Sequence, residues 1–392
     1  MGVSVGVGSS TLHASREAGR EAARRAVERL SGAPALVLVF ATVGFDQREL
    51  LRGIVDVTGA APLAGCSGTG IITHAGSDES AFCVAVMALS SDGVHVRTAV
   101  GREVSHDVRG AAEAIAAAVR ATPDPRVILL FPDGLKANAS ALLSAIDARL
   151  PAPLPILGGS AGEVMRFDRT YQYHDGEVLE DAVVGAVLGG PIDLDLEVTH
   201  GCTLLGLVHE VTNADDGLVR EIDGRPAWDV MKEYVTDPSK GLSSPDQPYL
   251  CMAQPLPGPS GGEGEHLIRV PLGLDESTGA LFFPGGLARG DELTMARRDA
   301  EKIARNATEA AHRLRARHPD RAPALVLQFD CAGRGASLYG PNVTSQLIQP
   351  VQQVLGKDVP WIGFHSYGEL APLRGRNHFH QYTMALCALY HR

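Results

Sequence analysis

Three stretches of the chain repeat one pattern of apolar and polar positions. Residues 35–40, 126–131 and 324–329 are apolar runs of strand length, each closed by a phenylalanine (Phe40, Phe131, Phe329). A short polar loop follows each: Ala41-Thr42, Pro132-Asp133-Gly134 and Asp330-Cys331. Continuous apolar runs, rather than alternation, predict strands covered on both faces. Helices are predicted next, over roughly 46–57, 138–149 and 343–355. A proline (Pro62, Pro155, Pro360) then opens a brief apolar strand that a glycine ends. The turns read Gly65-Cys66-Ser67, Gly158-Gly159-Ser160 and Gly363-Phe364-His365-Ser366, the third copy being one residue longer. Further β-rich runs follow at 81–89, 182–188 and 382–389. A unit of strand, loop, helix, strand and glycine turn favours parallel neighbours joined by a crossover helix. The spacing of about 100 residues between the first two copies is too long for a solenoid and points to duplicated domain parts.

Other segments fill in the outline. Residues 1–9 read as a first strand, and an amphipathic helix from Ser15 to Leu30 follows, with Ser15 as its expected cap. From Gly217 to Met231 the pattern is strand, Asp223-Gly224 turn and new helix. Residues 236–265, rich in Pro, Gly and Ser, predict a long exposed loop that orders on binding. A helix is expected around 294–317, and its Arg297, Arg298, Lys302, Arg305, Arg313, Arg315 and Arg317 read as a solvated face. The expected fold class is α/β: two related domains, 1–205 and 206–392, with mixed β-sheet cores covered by helices. The second holds the 236–265 loop.

Composition narrows the function. A formal charge of −11 over 392 residues argues against a nucleic-acid partner. The six cysteines are scattered with no Cys-x-x-Cys, which predicts a reducing compartment and no structural zinc. No signal peptide and no run of about 18 apolar residues is present, so a cytoplasmic protein without a membrane partner is expected.

The chemistry candidates cluster at the glycine turns. Gly158-Gly159-Ser160-Ala161-Gly162 matches the nucleophile elbow of hydrolases. Residues 163–171 read as irregular rather than helical, so a Ser160-dependent hydrolase stands as the alternative and no catalysis is expected. Ser67, Ser160 and Ser366 are instead candidates for hydrogen bonds to a small polar ligand. Arg334 offers a fork for a carboxylate, and Glu369 either takes an amino group or pairs with Arg334. Nucleotide-loop and zinc-protease motifs are absent. His378 and His380 alternate on one expected strand face. Without Cys-x-x-Cys-His, haem b would bind only non-covalently, through His380 first or His365 second.

These residues carry a family likeness. The opening Gly8-Ser9-Ser10 strand end, Gly65-Cys66-Ser67, the Glu221-to-Ala227 segment and Phe329-Asp-Cys331-Ala-Gly-Arg334 resemble the FIST sensory proteins, as does the block from Gly363 to Leu370. Phe379-His380-Gln381-Tyr382-Thr383 resembles the closing family motif with two positions changed. The resemblance implies small-ligand sensing in bacterial signal transduction, with an amino-acid-like ligand. The branch with haem and nitric oxide is the alternative. The ligand site is expected mainly in the C-terminal half, at Arg334, His365, Ser366, Tyr367, Glu369 and His380, with Ser67 and Ser160 as further candidates. Since the resemblance spans nearly the whole chain, the signal is expected to pass to a separate effector, a histidine kinase or other signalling protein.

Overall fold

The computed structural model describes residues 3–215, 217–243, 249–256 and 266–392. The expected 236–265 loop therefore lies partly outside the described residues, and where it is described it is not all loop: Leu250–Pro255 forms a mostly buried strand that pairs within the insertion sheet.

The chain is α/β, with mixed sheets covered by helices, as expected from its sequence. Three of its sheets follow one plan. The first unit has strands β1 (Ser4–Ser10), β2 (Leu36–Ala41) and β3 (Leu63–Ser67), hairpin β4 (Gly70–Thr73) and β5 (Gly76–Asp78), and β6 (Val84–Ser90). The second has β7 (His95–Arg102), β8 (Pro125–Pro132), β9 (Ile156–Gly159), hairpin β10 (Gln172–His174) and β11 (Glu177–Leu179), and β12 (Ala182–Gly189). The third starts with β13 (Ile192–His200) and is interrupted by an insertion. The insertion holds β14 (Cys202–Asp215), β15 (Leu218–Ile222), β16 (Arg225–Pro226), β17 (Leu250–Pro255), β18 (His266–Arg269), β19 (Gly273–Asp275), β20 (Ala280–Phe282) and β21 (Glu292–Arg298). The third unit resumes with β22 (Leu325–Cys331), β23 (Trp361–Ser366), hairpin β24 (Glu369–Leu373) and β25 (Arg376–His380), and β26 (Thr383–His391).

Among the described residues the strand orders are β1-β6-β2-β3-β10-β11, β7-β12-β8-β9-β24-β25 and β13-β26-β22-β23-β4-β5, plus the sheet of the insertion. Each unit thus hands its hairpin to another unit's sheet: the first to the third, the second to the first and the third to the second. The donated hairpin covers an edge that would otherwise present unpaired backbone groups. In each unit the two central strands run parallel, as the crossover helices require. The sheets also run across the 205/206 boundary, since β24 pairs with β9.

Strand alternation divides the side chains into an inner and an outer set. Leu36, Leu38, Phe40, Val127, Leu129, Phe131, Leu325, Leu327 and Phe329 face inward into one shared core. The three terminal phenylalanines meet there: centroids lie 5.3 Å apart for Phe40–Phe131 and 6.0 Å for Phe40–Phe329 and Phe131–Phe329. Phe364 packs on all three. The opposite faces carry Val37 and Val39, Ile128 and Leu130, and Val326, each under the helices of its own unit. Those helices are α1 (Ser15–Val27) and α2 (Gln47–Thr58), α3 (Val108–Ala121) and α4 (Ala139–Asp147), and, beyond the short α5 (Ala227–Met231) of the insertion, α6 (Ala300–Arg317) in the third unit. Ser15 does not cap α1: Ala14 holds that place, and the Ser15 hydroxyl accepts from Asp46 N–H at 3.0 Å.

The glycine turns meet beside the phenylalanines. Gly162 N–H donates to Ser67 C=O at 2.9 Å, Tyr367 N–H to Ser160 C=O at 3.1 Å, and Thr69 N–H to His365 C=O at 3.0 Å, closing a ring. Gly65, Gly158 and Gly363 occupy one position in the three copies, and a Cβ there would lie 1.9, 2.0 and 1.7 Å from a carbonyl oxygen of the neighbouring strand. By that alignment the counterpart of Ser67 and Ser160 is His365, not Ser366; the extra residue of the third copy follows the glycine rather than preceding it.

Truncating Phe131 to alanine should cost ~3–5 kcal/mol of stability by opening a cavity where three units touch. Urea unfolding of Phe131→Ala measures it; a loss below about 1 kcal/mol would contradict a shared core.

Candidate functional site

The insertion packs back onto the turn of the third unit and encloses a cavity of about 350 Å³. Six stretches line it: Met165 and Phe167, Val270 and Leu272 beyond β18, Arg298 at the end of β21, Cys331 to Gly333 with Ser337, Ser366 with Tyr367, and Gln381 with Tyr382. A volume of this order suits a small organic ligand, and the lining of apolar and aromatic groups with a few polar ones is of the kind such ligands favour.

Local sequence explains each wall. The run Glu292-Leu293-Thr294-Met295-Ala296-Arg297-Arg298 continues as a strand to Arg298, where Asp299 takes over as cap of α6 and accepts from Lys302 N–H at 3.0 Å. The expected helix over 294–317 is therefore shorter, and Arg297 and Arg298 fall on opposite strand faces. Arg297 is exposed, whereas Arg298 is only 5% exposed. Its Nη1 donates to Gly333 C=O, and its Cζ lies 4.5 Å from the Tyr382 ring centroid and 5.2 Å from that of Tyr249. Such cation–π contacts hold the guanidinium in place. Gln381 Oε1 accepts from Val270 N–H at 2.8 Å and ties the insertion to the body.

The segment after the second glycine turn forms the opposite wall. Buried Glu163 accepts from Phe167 N–H at 2.7 Å and Arg166 N–H at 3.0 Å. The Tyr367 hydroxyl donates to Glu163 and accepts from Met165 N–H at 3.1 Å. Phe167 stacks on the Tyr367 ring with centroids 5.4 Å apart. Met165 and Phe167 have φ of 61° and 57°, a left-handed backbone costly for bulky side chains, and these bonds hold them there. Both side chains stay about half exposed at the cavity mouth, with Leu272.

Of the residues expected at the site, Ser366 and Tyr367 line the cavity. Ser366 Oγ donates to Glu369 Oε1 at 2.6 Å, and Thr383 N–H reaches Glu369 Oε2 at 3.3 Å. Glu369 is fully buried, and burial pushes its carboxyl well above the ordinary 4.5, toward the neutral acid. Arg334 does not pair with Glu369 as expected. Its Nε lies 2.8 Å from Asp330 Oδ1 and its Nη1 donates to Thr199 C=O at 2.9 Å, all inside the protein. The tight turn after β22 folds Arg334 back over the strand end that carries Asp330.

The remaining candidates are structural. Ser67 Oγ donates to Gly162 C=O at 2.7 Å and accepts from Tyr171 N–H at 3.0 Å, bracing two units. Ser160 spends its backbone on the ring and on Gly368, and its hydroxyl meets no histidine or carboxylate among the described residues. His380 Nε2 is 3.0 Å from Ala371 C=O, and burial depresses its pKa to about 3, keeping it neutral. His365 Nε2 is 2.8 Å from Ser77 Oγ and 3.6 Å from Glu79 Oε1. Both are fully enclosed with Nε2 engaged, and neither lines the cavity, so these two histidines do not fit haem ligation. Among the described residues no group of three or more His, Cys, Asp or Glu is placed to hold a metal ion, and no helix is long and apolar enough to cross a membrane.

Sequence reasoning missed Arg298. The signal was present: alternation through 292–298 and an N-capping Asp299 both end the helix before it starts to include Arg298.

Comparison with known proteins divides the chain in two. The FIST N domain matches residues 35–225 and the FIST C domain residues 227–372. An uncharacterised protein of Mycobacterium bovis is 30% identical over 396 residues, covering 97% of each chain. An uncharacterised protein of Mycobacterium tuberculosis is 30% identical over 403 residues, covering 97% of this chain and 98% of its own. A cyanuric acid hydrolase structure from A. caulinodans aligns over 100% of both chains with 9% identity and a TM-score of 0.35, a likeness that carries no functional reading.

The buried Glu369 predicts a pH signature. The unfolded carboxyl ionises near 4.5 while the folded one resists, so its contribution is complete below pH 4.5 and falls as pH rises toward the folded pKa, by ~1.4 kcal/mol per unit. Glu369→Gln keeps an acceptor for Ser366 and should flatten the decline between pH 5 and 8 in urea midpoints. Parallel profiles for the two proteins would contradict a neutral Glu369.

Proposed function

The chain belongs to the FIST family, whose domains are signalling sensory domains, and we propose that it binds a small ligand in the cavity between the insertion and the third glycine turn, without turning it over. The observation that carries this reading is the cavity itself: segments from six places in the sequence converge on it, among them the insertion and the strained 163–167 segment. Gln381 to Val270 holds the insertion, and Glu163 with Tyr367 holds the strained 163–167 segment. A ligand bridging these walls favours one arrangement of them over others, which is population shift. The readout passes to a separate signalling protein, such as a histidine kinase, through the surface around Met165, Phe167 and Leu272 that the ligand orders.

The absence of catalysis is part of the proposal. Ser366 bonds to a neutral acid, not to a histidine base, so its hydroxyl lacks the activation that a nucleophile needs.

A thermal-shift screen of small metabolites tests this. A true ligand at about a hundredfold excess over Kd should raise the melting temperature by ~2–5 °C. Ser337→Trp, at the exposed rim of the cavity, should abolish the shift. A ligand that stabilises Ser337→Trp equally would place binding elsewhere and overturn the reading.

A further inference from the structure

Among the described residues Arg298 is a buried cation without a carboxylate. Among the described residues no Asp or Glu oxygen comes within ion-pair distance of its guanidinium, whereas buried Arg334 has Asp330 at 2.8 Å. One nitrogen, Nη1, is used on Gly333 C=O. Nε is buried with no hydrogen-bond partner, and Nη2 donates no bond among the described residues. These two form one edge of the planar fork, and they belong to the one charged residue that lines the cavity among the described residues. Leaving charged donors unpaired in a dry site is costly, and the cost is removed when an anion arrives.

We propose that the cavity takes a monocarboxylate with an apolar or aromatic body and no α-ammonium group, its two oxygens bridging Nε and Nη2 of Arg298. The inference rests on the reading of the cavity as the sensory site and adds the ligand's chemical class. Three features select it. A carboxylate matches the Nε–Nη2 edge with two parallel hydrogen bonds, which a lysine could not offer. A single cation balances a single negative charge, so a phosphate dianion would remain undercompensated. Most of the rest of the wall is apolar or aromatic, including Val270, Leu272, Met165, Phe167, Tyr367 and Tyr382, and its other polar side chains, Ser337, Ser366 and Gln381, are uncharged. Among the described residues no acidic side chain lines the cavity, and Glu369, the acid behind Ser366, is held neutral and already engaged. An amino acid's ammonium would therefore enter without a partner, which separates this ligand class from the amino-acid-like one expected from the sequence.

The test is calorimetric titration of the full chain with 3-phenylpropanoate, phenylacetate and octanoate, against neutral 3-phenylpropanol and zwitterionic L-phenylalanine. At least one acid should bind ~10–100-fold tighter than the alcohol and L-phenylalanine. Arg298→Gln should reduce that acid to the alcohol's affinity while leaving the alcohol's own affinity unchanged, which also shows that the variant is folded. Arg298→Lys should recover only part of the loss. Equal binding of acid and alcohol, both lost in Ser337→Trp, would overturn the carboxylate and leave the cavity standing as the sensory site. L-phenylalanine binding as tightly as the acids would overturn the exclusion of the ammonium group. Binding by none of the acids would overturn the ligand class, and only insensitivity of every ligand to Ser337→Trp would take the cavity reading with it.

Discussion

The structure depends on the closed ring of backbone hydrogen bonds among the three glycine turns. Each turn donates from its third residue to the carbonyl of its predecessor's first, and the third returns to the first, so no unit can shift without breaking two contacts. The turns leave strands packed close in each unit: Gly65, Gly158 and Gly363 have no room for a Cβ because the carbonyls of Val39, Leu130 and Gln328 on the neighbouring strand of the same unit lie against them. It sits beside the triangle of Phe40, Phe131 and Phe329, whose edge-to-face packing closes the same region with apolar surface. Polar backbone and aromatic core are thus locked together where the three sheets meet.

The third unit departs from this plan, and the departures generate the site. Its turn is one residue longer, which sets Ser366 and Tyr367 beyond the position occupied by Ser67 and Ser160. It also carries the insertion between β13 and α6, whose last strand brings Arg298 to Tyr382. The first two turns keep their hydroxyl or backbone groups for bracing neighbours, as the bond from Ser67 to Gly162 shows. The third turn leaves a gap instead, walled by a strained segment from the second unit and a strand extension from the insertion. An arginine left without a carboxylate among the described residues in such a gap is a feature that packing alone does not explain.

Much of this was legible in the chain. The recurring phenylalanine at the end of each apolar run marks the triangle, and the recurring glycine marks the ring, because both positions have steric requirements that one residue type meets. The Asp223-Gly224 turn lay where expected, with positive φ at both residues. The hand-over of hairpins between sheets was not legible, since pairing partners are set by tertiary contacts far along the chain and not by local pattern. Alignment on the serines misplaced the third copy by one residue; alignment on the glycine is correct because the steric clash, not the hydroxyl, is shared. Arg298 was read with the arginines of α6, whose composition overrode the strand alternation before Asp299. Arg334 was given the wrong acid: Asp330 lies four residues away, while Glu369 reaches the same interior from another strand.

Hydrogen–deuterium exchange with and without a bound aryl or alkyl acid tests the central claim, that the cavity is where the ligand acts. The account predicts slowed exchange confined to residues 163–168, 270–272 and 331–337, the walls that the ligand bridges. Protection elsewhere, for example around Gln349, Gln353 and Trp361 at the separate cavity beneath the third unit's helices, or uniform protection across all three sheets, would contradict it.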